Sequence, residues 1–270
     1  MSVTILMYHM IAIPKNKAEA RFCRTPIAFR EDMEQIRRAG YQVVSLATVL
    51  DGMAGRTTAF PEKAVVITFD DGIACVYENA LPVLQEFGYQ ASVFVVSSRV
   101  GGYNDWCEDF GLPRRRMLTA FEIRTLADSG VDIGSHTANH LWLGKAEKTA
   151  ITNEIRDSKV ALEDIVGREV SHFAYPFGSW NPMVKNIVIE TGYSGACSTI
   201  PGRNQKNTDP YLLRRSEIMG SDALWQFRLK LRLATNDMPP ISAIRSLVRP
   251  VFEKIGLVSS RSADKEIKDR

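Results

Sequence analysis

The sequence predicts an α/β chain whose strands and helices alternate closely enough to close, or nearly close, into a β/α barrel. Three observations carry that expectation. Short apolar runs of strand length alternate with segments of helical period, which implies parallel strands joined by right-handed crossovers. Seven or so such units suit a barrel better than an open sheet. The residues with chemistry, Tyr8-His9, Asp70-Asp71, His136 to His140 and Pro176-Phe177-Gly178, each follow a strand. In barrels that is the end where reactions are carried out.

The elements follow in order. Val3–Tyr8 reads as a strand, 27–39 as a helix stopped by Gly40, and 41–45 as a short strand. Ala64–Phe69 is a continuous apolar run of the kind that parallel strands show when both faces are covered. The stretch 74–87 reads as a helix closed by Gly88, with Pro82 kinking it or starting a new turn. A strand over 91–96 precedes a helix over 119–129, where Thr119 and Glu122 form a capping box. A short strand over 131–134 leads into His136-Thr137-Ala138-Asn139-His140. The run 149–166 is a long amphipathic helix ended by Gly167, and 172–175 a strand. A helix over 181–191 closes at Gly192, and a last strand covers 193–198.

The chain has 270 residues, 45% hydrophobic and 24% charged, ordinary globular proportions. A net charge of +3 is too small to argue for a nucleic-acid partner. The basic character is local: between Trp225 and Gly256 six Lys and Arg stand against Asp237 and Glu253, a net +4. Four scattered cysteines without a CxxC pair read as reduced thiols. The N-terminal run is interrupted by Tyr8 and His9 and lacks a basic leading region and a small-residue cleavage site. It reads as a first strand, and the expected location is the cytoplasm, with a peripheral position at the inner membrane open.

Two of the four histidines stand at i and i+4 in 136–140. That spacing would put both imidazoles on one side of a helical turn, as a metal site needs. With a carboxylate from an earlier strand end, two imidazoles make a tripod with open positions, suited to catalytic zinc and also to non-haem iron(II). A divalent ion there would acidify water and polarise a carbonyl oxygen. Of the adjacent carboxylates Asp70 and Asp71, one could hold the ion while the other accepts the water's proton. Gly72 is expected to supply the turn that lets both reach one site.

The runs Thr68-Phe69-Asp70-Asp71-Gly72, His136–His140 and Tyr175-Pro176-Phe177-Gly178 resemble the first three motifs of the polysaccharide deacetylases, the NodB-homology or carbohydrate esterase 4 group. The resemblance spans residues 3 to 218. It implies a distorted (β/α)7 barrel with a C-terminal helical extension, a divalent metal, most often Zn2+, and removal of acetyl groups from sugar polymers. By position it implies Asp70 as general base, Asp71, His136 and His140 as metal ligands, Thr137 as a brace for the histidine loop, and the Phe177 backbone N–H as oxyanion donor. The family's third motif carries an arginine that this chain lacks, and Arg24 and Arg215 are the candidates to replace it. The family's late acid histidine is also missing, because no histidine follows His172. The run Met7-Tyr8-His9 is similar to the subgroup acting on poly-N-acetylglucosamine and related exopolysaccharides, which makes His9 the expected acid; His172, at a strand start, is expected to be structural.

Tyr8, Trp142, Phe177 and Trp180 are candidates to line a sugar groove. The expected organisation is a barrel over 1–220, a basic amphipathic helical extension over 221–260 and a polar tail over 261–270. The extension reads either as helices packed on the barrel or as a surface for anionic lipid through 225–256, which would suit a lipid-linked oligosaccharide precursor. The expected activity is N-deacetylation of N-acetylhexosamine residues. The readings set against it are a non-catalytic glycan-binding barrel and an iron oxygenase, whose customary His-x-Asp/Glu pattern is absent.

Overall fold

A computed structural model describes residues 1–57 and 60–237 of the chain, and its first strand, β1 (Ser2–Tyr8), already shows the layering. Alternate strand residues point to opposite faces. Val3 and Ile5 enter an inner core with Val66, Phe94, Ala174 and Leu213, whereas Leu6 and Tyr8 enter an outer core filled by helix side chains. Both faces are therefore buried.

After β1, the short strands β2 (Met10–Ile11) and β3 (Cys23–Arg24) pair with each other. Helix α1 (Pro26–Arg38) begins with Thr25 accepting from Ala28 N and with Pro26 in the first turn. β4 (Gln42–Val43) is shorter than the expected 41–45, because Ser45 leaves the strand to cap α2 (Leu46–Met53), a helix the sequence reading passed over. Val49 and Leu50 of α2 lie in the inner core, so this helix plugs the barrel. β5 (Ala64–Phe69) is buried along its whole length. The expected helix over 74–87 resolves into a π turn, Val76–Ala80, and then α3 (Leu81–Phe87), with Pro82 in the first turn of α3.

β6 (Ser92–Val95), α4 (Ala120–Asp128) with its Thr119–Glu122 capping box, and β7 (Asp132–Ser135) follow. Next come α5 (Lys148–Val166), β8 (His172–Ala174), α6 (Pro182–Glu190) and β9 (Gly195–Cys197). The described chain ends with β10 (Asn204–Gln205), β11 (Ser216–Glu217) and α7 (Leu224–Leu233).

β1, β5, β6, β7, β8 and β9 lie side by side and parallel. β11 pairs in parallel with β1, Leu6 opposite Ser216, and Leu213 just before it pairs with Cys197 of β9. The segment Leu213–Glu217 thereby joins the two sheet edges, and the fold is the expected distorted (β/α) barrel.

Helix α7 belongs to the same unit, Met1–Asn236. Phe227, Lys230 and Leu231 are buried, and Arg228 donates to Gln35 of α1. This part of the stretch 225–256 therefore packs on the barrel. The rest of the expected extension and the tail, from 238 onward, lie outside the described residues. Among the described residues no helix is long and apolar enough to cross a membrane.

A buried polar network fastens α7 and α1 to β1. Arg24 forks onto Asp32 (2.9 and 2.7 Å) and donates to the Asp222 carbonyl, while Tyr8 donates to Asp32 at 3.1 Å. Lys230 donates to Asp222 Oδ2 at 2.6 Å and to the Glu217 carbonyl at 2.8 Å. Removing one partner of a buried pair strands the other charge. Arg24→Ala is expected to lower the unfolding free energy by roughly 3–5 kcal/mol in denaturant titration. A loss below about 1 kcal/mol would mean the network is only packed, not electrostatically coupled.

Candidate active site

The strand ends of β1, β5, β7 and β11 open into a cleft of about 650 Å³ lined by His9, Asp70, Asp71, His136, His140 and Phe177, among others. Strand parity explains half of this. Met7 falls on the inner face of β1 and His9, just past its end, also lines the cleft, as does Asp70, which follows Thr68 on the inner face of β5. Asp71 would point outward, but its backbone takes the left-handed conformation (φ 73°), as does Gly72 (φ 79°). The turn thus begins at the acid itself and not at the glycine alone. A Cβ at Gly72 would come within 3.1 Å of Val95 Cα, so close approach as well as φ requires glycine there.

The histidines are brought together differently from the expected helical spacing. His136–His140 is a loop in which Thr137 (φ 66°) and His140 (φ 59°) are left-handed. Thr137 Oγ1 accepts from His140 N at 2.9 Å and holds the turn. Phe177, at φ 58°, is the fourth such residue at the cleft; among the described residues only one other non-glycine, Ala234, has positive φ. Each such residue costs on the order of 1–3 kcal/mol and persists only where its surroundings over-determine it.

Asp71 Oδ1 stands 3.3 Å from His140 Nε2 and 3.6 Å from His136 Nε2. Two ligand atoms about 2.0–2.1 Å from a tetrahedral ion are themselves roughly 3.3–3.4 Å apart, so the spacing fits such an ion. His136 Nδ1 lies 2.8 Å from the Ala174 carbonyl, which fixes its proton there and leaves Nε2 with its lone pair toward Asp71. Burial lowers the His136 pKa to about 4 despite the nearby carboxylates, which keeps the imidazole in its ligating neutral form. Asp71, His136 and His140 form the one group of potential metal ligands among the described residues. Two imidazoles, one carboxylate and open positions make the donor set of a catalytic divalent site.

Asp70 is held by the fully buried Arg215, whose Nη1 and Nη2 reach its two oxygens at 2.6 and 2.7 Å. Arg215 Nε donates to the Ser198 carbonyl at 2.9 Å and Nη1 also to Thr68 Oγ1 at 3.2 Å. Burial alone would raise the Asp70 carboxyl; Arg215 outweighs it and keeps the group ionised below its ordinary value. Of the two arginines considered from sequence, Arg215 therefore meets the acid, and Arg24 serves the network on Asp32.

Two further expectations, for Tyr8 and Trp180, are corrected, and those for Trp142 and His172 hold. Tyr8 is fully buried on the outer face of β1, bonded to Asp32, because adjacent strand residues cannot both face the cleft. Trp180 packs half-buried against the outer core and is not part of the cleft lining. Trp142 does line it, 41% exposed, with its ring stacked on Phe177 at 4.0 Å. His172 bonds Asp132 at 2.8 Å at the strand starts, remote from the cleft. Sequence reasoning missed Trp106 and Phe110, which also line the cleft. Their signal was the cluster of Tyr103, Trp106 and Phe110 in a segment bounded by Gly102 and Gly111.

Comparison with known proteins agrees with this geometry. The chain is 28% identical over 220 residues to YxkH of Bacillus subtilis (strain 168), named for polysaccharide deacetylation, covering 79% of this chain and 70% of that one. It is 38% identical over 116 residues to the poly-beta-1,6-N-acetyl-D-glucosamine N-deacetylase of Escherichia coli (strain K12). That match covers 42% of this chain and 17% of the relative, so the chain corresponds to a small part of that protein. The structure of the Streptococcus pyogenes deacetylase PplD in complex with acetate superposes with a TM-score of 0.74 at 24% identity, covering 87% of this chain and 99% of that one, and shares the fold. The family model for polysaccharide deacetylase matches residues 57–196, slightly over half of the chain. The chain belongs to the polysaccharide deacetylase family.

Proposed function

We propose that the chain is a divalent-metal-dependent N-deacetylase. Its substrate would be the acetamide of N-acetylhexosamine residues in an exopolysaccharide or its lipid-linked precursor, and its ion zinc. The observation that carries this reading is the convergence, in one cleft, of the Asp71–His136–His140 donor set with an Arg215-clamped Asp70. The name of the E. coli relative supports the choice of sugar.

Asp71, His136 and His140 would hold the ion. When bound, such an ion polarises an acyl oxygen and lowers the pKa of water beside it. The chain's own groups have separate tasks. Asp70, ionised and fixed by Arg215, accepts the proton of the attacking water. The Phe177 N–H would donate to the oxygen on which charge develops. His9, just past the end of β1 in the cleft lining and edge-on to Phe22 at 5.4 Å, delivers a proton to the departing amine nitrogen. Water adds to the acyl carbon, the C–N bond breaks, and acetate and a free sugar amine leave. A lipid-linked substrate on the inner face of a membrane would suit the basic stretch 225–256.

Acetate release from β-1,6-linked N-acetylglucosamine oligomers, lost with chelator and restored by zinc, is the direct assay. Absence of metal-dependent release across a panel of acetylated glycans would refute the reading and favour a glycan-binding role. His136→Ala is expected to lose bound zinc, measured by elemental analysis. His9→Ala should retain zinc while kcat falls about 10²–10⁴-fold; full turnover would remove His9 as the acid. Arg215→Lys keeps the charge but loses the fork, and kcat is expected to fall on the order of 10²-fold with KM little changed. An unchanged kcat would show that the fork does not position the base.

A further inference from the structure

His136 and His140 are oriented by different means. The Nδ1 of His136 is held by a carbonyl, the usual way a ligating imidazole is fixed. The Nδ1 of His140 is buried, and among the described residues no group bonds it. Apart from Asp71 at Nε2 and the His136 ring at 5.0 Å, two aromatic rings pack on His140: Trp106 lies on its face, centroids 4.7 Å apart and planes 20° apart, and Phe177 meets it edge-on at 4.5 Å and 74°.

The Trp106 contact is braced on both sides. Arg99 binds Asp105, the residue before Trp106, at 2.6 Å, and Asn139, the residue before His140, at 3.0 Å. Asn139 in turn bonds Glu154 of α5 through its N and Nδ2, both at 2.7 Å. The segment carrying Trp106 is tied down separately, with Arg115 N donating to Asn104 Oδ1 and the Arg115 side chain paired with buried Glu19 at 2.6 Å. The ring of Trp106 is thus fixed against His140 by contacts that do not involve the ion.

We propose that Trp106, braced by Arg99, is a positioning residue for the metal centre. Its indole face fixes the plane of the His140 imidazole in place of the hydrogen bond that a ligating histidine ordinarily donates. The plane matters because the lone pair of Nε2 lies in it, and a rotated ring aims that lone pair away from Asp71. The segment around residues 99–118, which shares no sequence motif with the ligands, would then contribute to metal affinity. This rests on the metal-site reading above.

The test is zinc affinity by competition with a chromophoric chelator, together with the visible spectrum of the cobalt-substituted protein. Trp106→Ala is expected to weaken zinc about 10–100-fold, the usual cost of losing a ligand's outer partner, and to alter the cobalt bands; Trp106→Phe should recover most of both. Phe110→Ala, which removes a cleft-lining ring whose aromatic contact is with Phe177 at 6.0 Å, should bind zinc normally. Arg99→Met, a surface change that leaves the core intact, should shift affinity in the same direction by a smaller factor, and it carries the test if Trp106→Ala does not fold. Wild-type zinc affinity and cobalt spectrum in both Trp106→Ala and Arg99→Met, or in Arg99→Met alone where the alanine variant is unfolded, would overturn the proposal. Failure of the wild-type chain to bind any divalent ion would instead overturn the metal-site reading.

Discussion

The pair Arg215–Asp70 ties the closure of the barrel to its chemistry. Arg215 arrives on the segment Leu213–Glu217, which joins β9 to β1. From there its guanidinium reaches the Ser198 carbonyl beyond β9 and both oxygens of Asp70 beyond β5. A fully buried arginine is costly unless its donors are used, and three of its nitrogens are satisfied by groups from different strands. The same contacts that make the last strand fit make Asp70 an ionised, immobile carboxylate. A barrel that closed in another register would leave two charges stranded, so fold and site are specified together.

The site also stores backbone strain. Asp71, Thr137, His140 and Phe177 all take left-handed backbone conformations. Each sits at or just after a strand end, where the chain must reverse within two or three residues and still present a side chain to the cleft. Regular strand geometry would send Asp71 outward and part the two histidines. In the histidine loop the hydrogen bond from His140 N to Thr137 Oγ1 helps hold the strained form.

Much of this was legible in the sequence, for identifiable reasons. Alternating apolar runs and helical periods gave away the barrel, and three of the capping motifs, at Thr119, Gly88 and Gly167, marked helix ends correctly. The acids and histidines stood out by residue type and by following strands. Other features needed three dimensions. Whether Arg24 or Arg215 meets Asp70 depends on which strand closes the ring, which no local pattern encodes. The i, i+4 spacing of the histidines suggested a helix, but two left-handed residues produce the same convergence in a loop. The exclusion of Tyr8 was available from strand parity once His9 was placed inside. Trp106 was hidden because it sits in a long connection without a motif, 34 residues before His140.

The account stands on one structural claim, that Asp71, His136 and His140 share a single divalent ion. The most direct measurement is anomalous X-ray scattering at the zinc absorption edge from crystals of the full chain equilibrated with zinc. The account predicts one peak about 2.0–2.2 Å from Asp71 Oδ1 and from Nε2 of both histidines. No peak there, or a peak held by other residues, would contradict it.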